Sequence, residues 1–378
     1  MGRYLKGSTM KESELMKPDV AFPGYKYVQG QNIYHGINVG RGGYVYAEPG
    51  MYSNVGLFDV ASLHPHSIKE LHLFGDYTDR YVNIMEARIA IKHKDLNKAK
   101  AILGPALQGI NLESEQDFKQ LAQALKIVIN STYGLTSAAF PNRCNDPRNK
   151  NNIVALRGAL FMVDLQRECQ KRGWTVAHIK TDSIKLPNLN DEIKDFVMSF
   201  GLRYGYTFEL ECVYEKMCLV NNSTYISKIA EGDDGMRQSK DPNCPWSATG
   251  AQFQQPYVFK TLFSHEKIEF EDMRETKSVT GKMYLDMNER LPEDQHDYQF
   301  IGKVGQFTPV LPGEGGGVLY REKDGKYYAV GGTKGYRWLE SESVKNIGAK
   351  VDQSYYRRLV DEAVHDISEY GDFEQFAA

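Results

Sequence analysis

Two apolar segments that each carry an aspartate at a strand end, VGLFDVA at 55 to 61 and WTVAHIKTDSIKLP at 174 to 187, most constrain how this chain can fold. Backbone N–H and C=O groups in a buried strand must find partners, so each segment needs a neighbour in a sheet. The second segment reads as a pair of strands with Asp182 at their turn. Asp59 and Asp182 are 123 positions apart (182 − 59), yet side-by-side strands would make them neighbours. The chain between them is mainly helical in character, so the sheet has to let a helical excursion leave and return.

Periodicity places a helix over 64–73 and a longer, Lys-rich one over 83–101. After Gly104 and Pro105 a further helix is expected over about 114–133, with Ser114 as N-cap and Glu115 and Asp117 in its first turn, where the helix dipole favours acids. Together these form a hairpin-like excursion between 83 and 134. A third long helix is expected over 151–172, stopped by Gly173. Residues 189–204 read as helix, 208–229 as two strands joined at NNST, 300–338 as strands with GEGGG and GG turns, and 341–370 as mostly helix. Residues 20–58 read as short strands and turns, and 231–250, rich in Gly, Asp, Pro and Ser, as a boundary or exposed loop.

Composition works by exclusion. A formal net charge of -3 argues against an architectural protein held to nucleic acid by a broad basic surface, and it is compatible with an enzyme that has one local basic channel. Five dispersed cysteines, none in a CxxC, favour free thiols in a reducing compartment. The opening MGRYLKGSTM has no apolar signal region, and no apolar run approaches the ~18 residues of a membrane helix. The expectation is a soluble, cytoplasmic protein with no membrane partner. Asn130-Ser-Thr and Asn222-Ser-Thr match the glycosylation pattern but lack the secretion signal that would give it meaning.

A pair of carboxylates at strand ends can bridge two magnesium ions, one activating an attacking hydroxyl and the other holding a triphosphate. Strand position alone leaves the plainer role, ending a strand or capping a helix, open for each. The surrounding text is more specific. Asp59 opens DVASLHP, KIVINSTYG follows at 126–134, and Thr181-Asp182-Ser183 comes last. These resemble, in order, motifs A, B and C of the family B DNA polymerases, and the middle one matches at each specified position. GGYVYAEPG before Asp59 and NIVALRG at 152–158 are similar to the flanking signatures of that family.

The resemblance covers most of residues 38–229 and implies an α+β fold: a right-hand polymerase with a mixed or antiparallel palm sheet, short helical fingers and a thumb. It implies a lead-in and first part of the palm over 1–82, fingers over 83–137, the second part of the palm over 138–230, and a thumb with the C-terminal region over 231–378. By position Asp59 and Asp182 are the catalytic metal ligands, for Mg2+ with Mn2+ as a substitute. Lys126, Asn130 and Tyr133 lie at i, i+4 and i+7 on one helical face, and in the family such a Lys meets the triphosphate and such a Tyr the nascent base pair. Arg88 and Lys92, four apart, supply further phosphate donors. Ser62 and Leu63 precede a helix, where free N–H groups bind phosphate. Arg157 is expected to orient the metal site or meet a DNA backbone, a structural ion pair being the other reading.

Three departures stand out. His64 replaces the tyrosine that lies under the sugar in the family, so sugar discrimination is expected to be altered. Lys180 replaces the first Asp of motif C. Ser223-Thr224-Tyr225 keeps the Tyr but not the Lys of the primer-contacting Lys-x-Tyr, leaving Tyr225 and Lys228 as DNA-binding candidates. Only 58 residues precede Asp59, too few for the usual proofreading exonuclease. The expectation is therefore a template-directed DNA polymerase of compact phage type, acting in viral DNA replication in the host cytoplasm. Its expected partners are primer-template DNA, incoming deoxyribonucleoside triphosphates and a separate exonuclease or other replication subunit. The alternative is a catalytically silent DNA-binding scaffold derived from a polymerase; a phosphatase or nuclease would explain the acids but not the ordered middle motif.

Overall fold

A computed structural model describes residues 22–136, 138, 140–142, 152–230 and 244–378. The chain divides into two compact units, Met1–Glu215 with Ala230–Gln238, and Lys216–Ile229 with Ser239–Ala378. Both are built of helices and antiparallel sheets, an α+β arrangement.

The first unit opens with a small antiparallel meander, β1 (Lys26–Val28), β2 (Gln31–Tyr34) and β3 (Ile37–Asn38). Its main sheet contains β4 (Val45–Ala47), β5 (Gly50–Val60), β6 (His178–Lys180), β7 (Ser183–Leu186) and the start of β8 (Phe208–Asn221), in the order β8-β5-β7-β6-β4. The helices are α1 (Leu63–Glu70), α2 (Thr78–Lys92), α3 (Leu96–Leu103), α4 (Glu115–Thr136), α5 (Ile153–Lys171) and α6 (Asp191–Arg203).

Local signals account for most of these boundaries. The Ser114 hydroxyl accepts from Asp117 N–H while Asp117 accepts from Ser114 N–H, a reciprocal box that starts α4. Asn190 accepts from Ile193 N–H at the start of α6. Gly173, at φ 78°, follows α5 in the left-handed region. The expected single helix over 83–101 is instead two. Lys94 turns left-handed at φ 61° and Asp95 caps the new start by accepting from Lys98 N–H at 2.9 Å. The polar run HKD offers the backbone that alternative, and only packing selects it.

The core of this unit is the face of α5 against the sheet. Leu160, Phe161 and Val163 are fully buried and cluster with Phe58, Ile179, Ile184 and Phe208. Gly158 lets α1 come close, since a Cβ there would lie 2.8 Å from Leu63. α2 packs on both α3 and α4 around Ala87, Ala90, Ile91 and Leu125.

In the second unit β8 runs on beside β9 (Thr224–Ile229) and β10 (Trp246–Thr249). β8 and β9 are the two strands expected over 208–229. Trp246–Thr249, expected as loop, is a strand because its backbone pairs residue for residue with Tyr225–Lys228; residues 231–243 lie outside the described set. A five-stranded antiparallel sheet follows, β11 (Glu275–Asp286), β12 (Tyr298–Val310), β13 (Val318–Lys323), β14 (Lys326–Ala329) and β15 (Arg337–Glu340), ordered β14-β13-β11-β12-β15. Its inner face, with Met283, Leu285, Phe307, Leu319 and Trp338, packs on Tyr355 and Tyr356 of α8 (Gln353–Ser368); α7 (Ser341–Ile347) precedes α8 and α9 (Phe373–Ala377) follows it.

Candidate active site

Asp182 occupies the two-residue turn of the β6–β7 hairpin, whose closing pair is Lys180 and Ser183. Thr181 takes φ 58°, rare for a β-branched residue, and the turn is held by its neighbours: Thr181 N–H donates to the Tyr44 carbonyl at 2.9 Å, and Asp182 N–H to the Lys180 carbonyl at 2.8 Å. Gly43 is required beside it, because a Cβ there would stand 2.8 Å from the Thr181 hydroxyl. On the next strand Asp59 pairs with Ser183 in register, and Val60 N–H donates to the Asp182 carbonyl at 2.8 Å. Adjacent antiparallel strands thus bring the two aspartates together from opposite ends of the helical excursion.

Both line a cavity of about 300 Å³, at the small end of what ordinarily holds a small-molecule ligand. One wall is the start of α1. Ser62, at φ 59°, forms its N-cap without a side-chain bond to the helix, leaving the N–H groups of the first turn without intrahelical acceptors. The Ser62 hydroxyl instead accepts from Arg88 of α2 at 3.3 Å, and Arg88 Nε is buried with no partner among the described residues. An unpaired buried N–H is costly unless a ligand satisfies it. Burial holds the Arg88 guanidinium pKa below its ordinary value. Lys126 and Asn130 of α4 also line the cavity.

His64 and Tyr133 meet ring to ring, centroids 4.5 Å apart and tilted by 53°. The Tyr133 hydroxyl donates to Asn152 Oδ1 at 2.9 Å, which anchors the ring at the end of α4. Lys126 and Asn130 therefore face the cavity while Tyr133 backs His64. Burial pushes the His64 pKa down against the opposing pull of Asp182.

Sequence reasoning missed two acids. In FELEC the apolar residues Phe208, Leu210 and Cys212 alternate with Glu209 and Glu211, the period-2 mark of a half-buried strand. Glu209 lines the cavity and accepts from Lys92 Nζ at 2.9 Å. Lys92, expected to await phosphate, is thus paired, though both side chains are about half exposed. The Asp59 pKa is pushed up to about 7, first by burial and then by the charges of Asp182, Glu211 and Glu209, with Lys92 opposing. That of Asp182 is also raised, by burial, against His64 and Lys126.

Among the described residues no group of three or more His, Cys, Asp or Glu gathers as a metal cage. Asp59 and Asp182 nevertheless offer an all-oxygen set suited to a hard cation, and the charge repulsion that raises Asp59 is what a bound dication would relieve. Such an ion would rely on water or a phosphate for its remaining ligands.

The other expected site residues fall elsewhere. Arg157 is half-buried; it donates to the Tyr204 carbonyl at 2.8 Å and lies 4.8 Å from the Tyr206 ring centroid, so its contacts hold the end of α6. Tyr225 and Lys228, on β9 in the second unit, pair in register with Thr249 and Trp246. Lys228 donates to the Ala378 carbonyl at 3.3 Å. No described helix is long and apolar enough to cross a membrane.

No protein-family model and no curated protein sequence matches the chain. Among solved structures it is similar to the family B DNA polymerase from the hyperthermophilic archaeon Pyrobaculum calidifontis, at 14% identity and a TM-score of 0.47. That match covers 85% of this chain and 46% of the other, so the chain spans about half the length of that polymerase.

Proposed function

We propose that this chain is a template-directed DNA polymerase that adds deoxyribonucleoside triphosphates to a primer 3'-hydroxyl. The observation that carries the reading is the meeting of Asp59 and Asp182 in one cavity with Arg88 and Lys126. Two acids and two cations lining one cavity suit a reaction in which a triphosphate is held while its α-phosphate is attacked. The ordered resemblance of DVASLHP, KIVINSTYG and TDS to the polymerase motifs supports the same reading from the sequence side.

Asp59 and Asp182 would hold Mg2+, or Mn2+ in its place, which when bound lowers the pKa of the primer hydroxyl and offsets phosphate charge. Arg88, Lys126 and the first-turn N–H groups after Ser62 bind and orient the triphosphate. His64, backed by Tyr133, forms the floor under the sugar, and Asn130 borders the nucleotide. In this reading residues 83–137 are fingers, 1–82 and 138–230 form the palm, with Tyr225 and Lys228 toward primer DNA, and 231–378 are the thumb with the C-terminal region. A viral, phage-type setting with a separate exonuclease subunit belongs to the same proposal.

The deciding experiment is extension of a labelled primer on a defined template with magnesium. Addition of the base dictated by each template position is expected. Tight primer-template binding with no addition, in either metal, would favour the silent scaffold instead.

A further inference from the structure

The β4–β8 sheet carries a cation in the same register row as one of the acids. Paired residues on antiparallel strands point to the same side of a sheet. The pairing runs from Asp59 to Ser183, from Ser183 to Lys180 and from Lys180 to Val45. The neighbouring row, Phe58, Ile184, Ile179 and Tyr46, points the other way and packs with Leu160 and Phe161 of α5. Asp59 and Lys180 therefore share one face, two strands and roughly 10 Å apart by strand spacing. Lys180 is exposed, and its ammonium has no ion pair or hydrogen bond with a described residue. The cationic groups that act on the acids are Lys92 at Asp59, and His64 and Lys126 at Asp182. Lys180 is not among them, so its charge is not spent on neutralising the metal site.

The strand order gives the row a direction. Glu209 on β8 and Asp59 on β5 line the cavity, whereas Ser183 on β7 and Lys180 on β6, the other way across the sheet, do not. The bond from Lys92 to Glu209 puts the face of α2 that carries Arg88, one turn earlier, on the β8 side. Phosphoryl transfer needs the attacking and leaving oxygens roughly in line. With the triphosphate tail toward Arg88, the attacking hydroxyl and the strand behind it come from the β7–β6 side. We infer that Lys180 binds the primer strand, its ammonium on a phosphodiester within the last three nucleotides before the 3'-hydroxyl. Charges in one strand follow at about 3.4 Å of helix axis, so a strand that ends at the acids brings phosphates within reach of a lysine roughly 10 Å away. The cation sits on a fixed element, since Thr181 N–H, next in the chain, donates to the Tyr44 carbonyl at 2.9 Å. Because Lys180 replaces the first Asp of motif C, the contact belongs to this chain rather than to the motif. The presence of a primer rests on the polymerase reading.

The test is a cycle that pairs Lys180 with single primer phosphates. Primers with one uncharged methylphosphonate at the first, second or third linkage from the 3' end are compared with the all-phosphate primer on one template, by fluorescence anisotropy at fixed salt. The protein is wild type or Lys180→Gln, with folding checked by circular dichroism and melting temperature. In wild type, one of the neutral linkages is expected to weaken binding by about tenfold, as loss of one charge-assisted contact gives. Lys180→Gln is expected to bind the all-phosphate primer about tenfold more weakly and to be indifferent, within about twofold, to that same linkage. A folded variant that keeps the full sensitivity overturns the inference. So does a wild type indifferent to all the neutral linkages, a result that needs no variant. In steady-state extension Lys180→Gln is expected to raise KM for primer-template about tenfold and to leave KM for the nucleotide within about twofold; the reverse pattern places Lys180 on the triphosphate and overturns the inference. Extension by wild type without the coupling removes the Lys180 contact and keeps the polymerase, whereas coupling without extension keeps the contact and fails the polymerase.

Discussion

The β4–β8 sheet and the five-stranded sheet are both antiparallel with one packed face, yet they present opposite chemistries on the other. The first brings Asp59, Asp182 and Glu209 to one cavity, where burial and the neighbouring acidic charges raise the proton affinity of Asp59. The second carries rings, with Glu322 beside Lys282 and Asp286 beside His296. Unrelieved carboxylates cost stability and are kept where a cation is to be bound. What a sheet does here is set by whether its charges are left unmatched.

The sharpest way to break this contrast is to remove the unmatched charge. Asp59→Asn and Asp182→Asn are each expected to lower primer extension by about a thousandfold or more, with primer-template affinity changed by less than about threefold, since the loss is of metal organisation. A folded variant that extends at near wild-type rate would take its aspartate out of the metal site. Lys126→Ala is expected to cost about a hundredfold in kcat/KM for the nucleotide; steady-state kinetics with an unchanged value would place the triphosphate elsewhere.

His64→Ala should enlarge the floor beneath the sugar and raise ribonucleotide over deoxyribonucleotide incorporation by about tenfold. A constant ratio in an active variant would show that His64, though packed on Tyr133, is no sugar gate.

The acid cluster also predicts a pH signature without metal. The folded pKa of Asp59 is raised to about 7 from 3.8, so the folded state holds the proton more tightly than the unfolded chain. Wild type therefore loses stability as pH rises through that window, and the full penalty stands above it. In chelator, Asp59→Asn should melt a few degrees above wild type at pH 8 and level with it near pH 4; a constant difference across the range would contradict the cause. The smallest effect expected is for Lys92→Met, which breaks a half-exposed pair with Glu209 and should cost under about 1 kcal/mol of stability by denaturant melts.

Much of the architecture was legible because its causes are local. The Ser114 box, the Asn190 cap and the Gly173 stop each depend on residues within one turn. The two strands over 208–229 and the hairpin that ends in Asp182 follow equally from alternation and turn chemistry. The break at Lys94 was not legible, since a good helical period runs through it and the packing of α2 and α3 decides the matter. Strand β11 and its aromatic outer face also escaped, because an exposed Tyr and a core Tyr look alike in one dimension.

Sequence by itself therefore determined which residue types were available in what order: Asp59 before Lys126 before Asp182, with a helical excursion between. Helix caps and two-residue turns act over a few bonds, and that order is enough to specify them. Only the tertiary structure decided that Glu209 joins the acids, that Lys92 is spent on it, and that Tyr133 backs His64 rather than facing the cavity. Those outcomes turn on strand register, where a shift of one residue exchanges buried and exposed faces, and register is settled by contacts between segments far apart in the chain.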